Sequence, residues 1–215
     1  MLPPTDRREL FALKKGSKMA ELLEVKNLSV SFDTPNGEAE AVRDVSFFVK
    51  KGETLAIVGE SGCGKSVLCR SIMKLLPRTA RIKSGSVLLD GKEITGLTEK
   101  EMQKLRGNSF SMVFQDPMTS LNPAMTVGAQ IAEAVLIHRP ELSREEVRRR
   151  VWELMELVGI DHPKERAAQY PWNFSGGMRQ RAVLAIALAS EPAVLLADEP
   201  TTALDVTIQA QVLDM

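Results

Sequence analysis

Gly59-Glu-Ser-Gly-Cys-Gly-Lys-Ser66 is the stretch whose reading decides the fold. It fits the pattern G-x-x-x-x-G-K-[ST]. Glycines at these places let successive backbone N–H groups turn inward around phosphate oxygens. Lys65 is placed to neutralise phosphate charge, the Ser66 hydroxyl suits a magnesium ion, and a helix opening here aims its positive end at an anion. The flanks agree with that chemistry. Thr54 to Val58, TLAIV, is a short apolar run ending at Gly59, the pattern of a buried parallel strand. Ser66 to Leu76 reads as a helix stopped by Pro77. A plain glycine turn would need neither flank.

Upstream, Leu22 to Phe32 and Ala41 to Val49 alternate apolar and polar residues around the turn cluster Asp33-Thr-Pro-Asn-Gly37. The alternation predicts two half-buried strands joined by a turn. Residues 1–20 carry Arg7, Arg8, Lys14, Lys15 and Lys18 against Asp6 and Glu9, without clean periodicity. We expect a disordered extension there, and translation could start at Met1 or Met19.

Downstream, Ser86 to Asp90 and Ser109 to Phe114 read as further strands. Residues 119–172 change character and read as a helical subdomain set between strands. Ser143 with Glu146 makes a capping box, and Val147, Val151, Leu154 and Val158 repeat at helical spacing up to Gly159. Met178 to Ala189 is another helix, closed by Pro192. Ser175 would cap it, and Gly176 and Gly177 leave its first amides open, the makings of a second anion site. Ala193 to Ala197 is a second buried strand that delivers Asp198 and Glu199 to its carboxyl end, where open α/β sheets hold ligands. One acid there can hold magnesium, and the next can orient and deprotonate an attacking water. A new helix is expected to begin near Val206.

Composition narrows the classes. Twenty-eight Lys+Arg balance 28 Asp+Glu, with 44% hydrophobic and 26% charged residues in a chain of 215. That excludes a disordered chain and a polybasic nucleic-acid tail, and no nucleic-acid partner is expected. Two cysteines, Cys63 and Cys69, exclude a disulfide scaffold and fit a reducing compartment. No apolar run reaches the roughly 18 residues of a membrane span.

The ordered set GESGCGKS, Gln115, FSGGMRQR, VLLADEP and Ala203-Leu-Asp205 resembles the ATP-binding-cassette (ABC) ATPases over about residues 21–215. SMVFQDPMTSLNP and YPWNFSGGMRQR are similar to the branch that serves oligopeptide, dipeptide and nickel importers. The resemblance implies an α/β P-loop NTPase core with an N-terminal antiparallel β subdomain and an inserted helical subdomain. It implies ATP and Mg2+ as cofactors and an ATPase that energises import of peptides or related small solutes. Phe32 would stack on adenine. Gly59, Glu60, Ser61, Gly62, Cys63, Gly64, Lys65 and Ser66 would hold the phosphates, with Ser66, Gln115 and Asp198 around magnesium. Glu199 would be the catalytic base, assisted by Gln115. Ser175, Gly176 and Gly177 would close over the γ-phosphate of a second ATPase subunit, in a homo- or heterodimer, and Asp205 would cross that interface.

The implied partners are integral membrane permease subunits and, indirectly, an extracytoplasmic solute-binding protein. The implied location is peripheral, on the cytoplasmic face of the cell membrane. The family also places a γ-phosphate histidine some tens of residues after the acid pair. This sequence ends at Met215, and His138 and His162 lie too early, as surface residues of the helical subdomain. The chain is therefore expected to be a C-terminally truncated cassette. In it, the strands TLAIV and AVLLA would share no continuous ladder and would expose apolar surface. An inactive nucleotide-binding fragment, and an ABC ATPase of another transport class, are the competing readings.

Overall fold

A computed structural model describes the backbone of residues 11–13, and residues 21–115 and 120–199. The chain divides after Lys104 into two compact units.

The first unit is built on a long hairpin. Strand β1 covers Phe11–Leu13, β2 Glu21–Thr34 and β3 Gly37–Lys50. Strands β2 and β3 pair antiparallel from Glu21↔Lys50 to Thr34↔Gly37, so the turn is tighter than the cluster Asp33–Gly37 predicts. Strand β5 (Ala80–Leu89) pairs with the other edge of β2, and β6 (Lys92–Glu93) with β5, giving the antiparallel order β3-β2-β5-β6. Alternation in the sequence becomes alternation in burial: Leu23, Val25, Leu28 and Val30 of β2 face the core with Val87 and Leu89 of β5. Gly85 is where β5 crosses β2 most closely. Its φ is +92°, and a Cβ there would lie 2.5 Å from the Asn27 carbonyl oxygen and from Leu28 Cα. Helix α1 (Lys65–Ile72) buries Leu68, Cys69, Ser71 and Ile72. Helix α2 (Glu99–Leu105) carries Met102, fully buried, to the unit's end.

Strand β4 (Ala56–Val58) differs from the buried parallel strand expected of TLAIV. It pairs antiparallel with β1, and Val58 stays 57% exposed. The physical reason is the neighbour: its ladder is supplied by Phe11–Leu13, which lies inside the first twenty residues expected to be disordered. A three-residue pair covers little of either face.

In the second unit, β7 (Phe110–Val113) and β8 (Val194–Ala197) pair in parallel, in register Phe110↔Val194 to Val113↔Ala197. Leu195 is 37% exposed, so β8 is buried on one face only. Between the two strands come α3 (Val127–His138), α4 (Arg144–Leu157), α5 (Pro163–Arg166), a 3-10 turn over Pro171–Asn173, and α6 (Gly176–Leu188). The capping box at Ser143 is complete: the Ser143 hydroxyl accepts from the Glu146 amide, and the Ser143 amide donates to the Glu146 carboxylate at 2.8 Å. The predicted stripe Val147, Val151, Leu154 and Val158 is buried and packs with Val127, Ile131 and Val135 of α3 and Ala182 to Ala185 of α6. Of the two histidines expected at the surface, His162 is exposed, at φ +52°. His138 is half-buried against Gly107, where a Cβ would come within 2.7 Å of its Nε2. Among the described residues no helix is long and apolar enough to cross a membrane. The helix expected near Val206 lies outside the described residues.

Candidate functional site

In the first unit the loop from Gly59 to Gly64 links β4 to α1. Gly64 takes the N-cap position of α1 at φ +102°, in the left-handed region, and no side chain caps the helix. The positive end of α1 therefore faces the loop without a capping side chain. Only glycine fits at that cap, because a Cβ would lie 2.4 Å from the Ala41 carbonyl oxygen on β3. The loop also closes on itself: the Cys63 amide donates to the Glu60 carbonyl at 3.3 Å, and a Cβ on Gly59 would lie 2.6 Å from Cys63 Sγ. Lys65 Nζ lies across this ring and donates to the carbonyls of Gly59 at 2.8 Å and Glu60 at 2.9 Å. The Lys65 ammonium thus lies against the carbonyls of the loop, and Ser66, the next residue, is half-buried. Ser61 and Gly62 are exposed at the rim. Phe32 lies half-buried near the end of β2, in register with Ala39 and Ala80.

In the second unit, two parallel strands deliver their carboxyl ends side by side. The Asp198 amide donates to the Val113 carbonyl at 2.9 Å, extending the β7–β8 ladder by one bond. Asp198 is buried, 3% exposed. One residue on, Gln115 Nε2 donates to Glu199 Oε2 at 2.8 Å. The structure therefore brings Gln115 and Glu199, 84 positions apart, into direct contact. Glu199 itself has φ +51°, in the left-handed region that favours glycine. A residue with a Cβ held there carries about 1–2 kcal/mol of local cost, a feature that clusters at functional sites.

The third element is the entry to α6. Ser175 is the N-cap, its hydroxyl accepting from the Met178 amide at 3.3 Å. Gly176 is exposed and has open space where a Cβ would be. Phe174, only 2% exposed, nails the preceding turn into the core. Arg179 Nε holds the Pro171 carbonyl at 2.8 Å, and Arg181 donates to the Gly159 carbonyl. Asp205 lies outside the described residues.

Two features escape the sequence reading. Tyr170 and Trp172 stack with ring centroids 4.4 Å apart and planes 4° from parallel, on the surface just ahead of Ser175. Gln130, buried in the first turns of α3, binds the loop before it. Neither carries a spacing signal, since two residues apart in a turn and eight apart across a helix start are not helical relations.

Among the described residues no three His, Cys, Asp or Glu side chains gather as a metal nest. The donors present are oxygens: the Ser66 hydroxyl in one unit, and the Asp198 carboxylate and Gln115 amide in the other. Hard oxygen donors are the type that magnesium takes.

The profile of the ABC transporter family matches residues 42–202. The chain is 56% identical over 199 residues to the oligopeptide transport ATP-binding protein OppD of Bacillus subtilis, covering 92% of this chain and 55% of that protein. It is 56% identical over 198 residues to the dipeptide transport ATP-binding protein DppD of the same organism, covering 92% and 59%. The chain thus spans somewhat over half the length of these relatives. Among solved structures, the ATP-binding cassette MJ0796, in a dimeric post-hydrolysis state bound to ADP and Pi, superposes with a TM-score of 0.77 at 28% identity, over 89% of this chain and 80% of that one. Another similar structure is cbiO1 from Clostridium perfringens, part of the transporter complex cbiONQ, with a TM-score of 0.74 at 29% identity, over 90% of this chain and 71% of that one.

Proposed function

The chain belongs to the ABC transporter family, and from that premise we propose that it binds and hydrolyses ATP to energise an importer of peptides or related small solutes. The observation that carries the reading is the contact between Gln115 and Glu199 at the carboxyl ends of two adjoining parallel strands. A carboxylate and an amide held there form a water-orienting pair, and the chain also carries a phosphate loop with its lysine in place. The relatives named for oligopeptide and dipeptide transport support the solute class.

In this reading Lys65 and the loop amides from Gly59 to Ser66 bind the β- and γ-phosphates. Phe32 supports the base. Ser66, Asp198 and Gln115 are the groups to hold magnesium, which when bound would neutralise charge on the phosphates. Glu199 accepts the proton of the attacking water, and Gln115 fixes that water by hydrogen bonding. Ser175, Gly176 and Gly177, at the open end of α6, close over the γ-phosphate of a second subunit, whose interface Asp205 crosses. The protein acts peripherally at the cytoplasmic face of the membrane, docked on a permease.

The test is turnover by the full-length protein and by Glu199→Gln. The amide keeps the shape and cannot accept the proton, so ATP affinity should persist while phosphate release stops. A stable ATP-bound dimer of doubled mass should then accumulate. Hydrolysis at the wild-type rate would remove Glu199 as the base.

A further inference from the structure

We infer that Ala39 and Ala80 are specificity-determining residues of the nucleotide site: their methyl groups border Phe32 on both sides and leave room for a purine to lie over its ring. This rests on the reading of Phe32 as the support for the base. Phe32 is in register with Ala39 on β3 and with Ala80 on β5. Directly opposed residues put their side chains on one face of a sheet, with Cβ atoms about 4.5–5.5 Å apart. The row across the three strands is therefore methyl, ring, methyl. The Asp33 amide donates to the Thr79 carbonyl at 2.7 Å and carries the β2–β5 ladder past Phe32, so the row is held in place. One row further into the sheet, on the same face, the order is Val42, Val30, Ile82. That row is closed, with Val30 at 0% and Val42 at 1% exposure. In the next row Phe32 is half-buried and Ala39 is exposed. Branched side chains thus give way to methyls on both sides of a single ring.

The phosphate loop rests on the closed row. A Cβ on Gly64, the N-cap of α1, would lie 3.6 Å from Val42 Cγ2 and 2.4 Å from the Ala41 carbonyl oxygen. Ala41 is the bulged residue of β3, since Val42 opposes Val30 while Glu40 opposes Ser31. The cap of α1 and Phe32 therefore share one face, and Val30 and Phe32 are two residues, about 7 Å, apart along β2. A ligand whose phosphates lie at the loop can set its flat base over the open row. A purine is broader than a phenyl ring and overhangs it. The methyls of Ala39 and Ala80 pass under that overhang, and a branched side chain at either place would stand up into it. A pyrimidine, no broader than the ring, meets neither.

The experiment is titration of the full-length protein with MgATP, MgCTP and inorganic tripolyphosphate. Ala39→Val and Ala80→Val should each weaken ATP about tenfold, by lifting the purine off the aromatic ring, and leave CTP within about twofold. Tripolyphosphate, which has no base, should bind both variants as it binds the wild type. Ala39→Ser, which stays small, should keep ATP affinity. Phe32→Ala should weaken ATP as well. If Phe32→Ala binds ATP normally, the base does not lie there, and the reading of Phe32 fails together with the proposal. If Phe32→Ala weakens ATP while both valine variants keep wild-type ATP and CTP affinities, the proposal alone is overturned. Losses shared equally by ATP and CTP would overturn it too. Ala39 is exposed and valine favours strands, so Ala39→Val carries the test should Ala80→Val not fold.

Discussion

Replacing Glu199 in three ways separates its backbone from its side chain. Glu199 sits at φ +51°, where any Cβ is crowded, and accepts a 2.8 Å hydrogen bond from Gln115. Glu199→Ala removes the bond and keeps the crowding. The pair is solvent-accessible, so the lost bond is worth about 0.5–1.5 kcal/mol. Glu199→Gly also removes the bond but relieves the crowding, worth about 1–2 kcal/mol. Against that stands about 0.5–1 kcal/mol for the extra backbone freedom glycine loses on folding. Midpoint against midpoint, glycine should therefore exceed alanine by about 0.75 kcal/mol. At about 2–4 °C per kcal/mol for chains of this size, the melting temperature of Glu199→Gly should lie about 1–4 °C above that of Glu199→Ala. Glu199→Gln keeps an acceptor oxygen and should melt within about 2 °C of the wild type. All three should lose turnover. The assay is thermal unfolding of nucleotide-free protein by circular dichroism, beside phosphate release. If glycine melts at or below alanine, the backbone at position 199 stores no strain and the reasoning is wrong.

Lys65→Ala should weaken ATP binding by at least about 100-fold, since phosphate charge left uncompensated costs several kcal/mol; nucleotide titration reads this directly. Gly85→Ala should cost about 2–5 kcal/mol, from left-handed strain plus contact with the β2 backbone, and chemical denaturation would show it. Acid should destabilise the fold through its bonded glutamates. Glu38 is held below the ordinary glutamate range first by the Ser31 hydroxyl and then by Lys83, and Glu101 by Thr98. Glu146 is held there by Ser143. A lowered folded pKa means stabilisation that is complete above the unfolded value, about 4.3, and is lost as pH falls through the folded one. Glu146→Gln should flatten the fall in melting temperature between about pH 5 and pH 3. Finally, we place the permease on the helices that follow Gln115, so cysteines at the exposed positions Ala129 and Glu133 of α3 should cross-link to cytoplasmic loops of a co-expressed permease; cross-links formed only from β2 and β3 would contradict that placement.

The phosphate loop was legible because its chemistry dictates local sequence: glycines where no Cβ fits, and a lysine within reach of the loop. The capping box and the stripe of α4 were legible for the same reason, being relations of three and four residues. Strand partners are not local. TLAIV announces a strand but not which edge it meets, and the structure pairs it with Phe11–Leu13, three residues with no pattern of their own. Gln115 and Glu199 could be named one at a time, through family resemblance, but their contact spans 84 positions. Gln130 is a polar residue at a core position of an apolar stripe. What it binds appears only once the loop before α3 folds over it.

Lys65 is bonded to two carbonyls of its own loop. Nucleotide binding is then an exchange of acceptors, not a capture by a waiting cation. Neutral carbonyls are weaker acceptors than phosphate oxygens, so a polyphosphate displaces them and a nucleoside or a sugar hydroxyl does not. The loop thus carries its own competing acceptors for the ammonium, and only an anion that binds it more strongly displaces them.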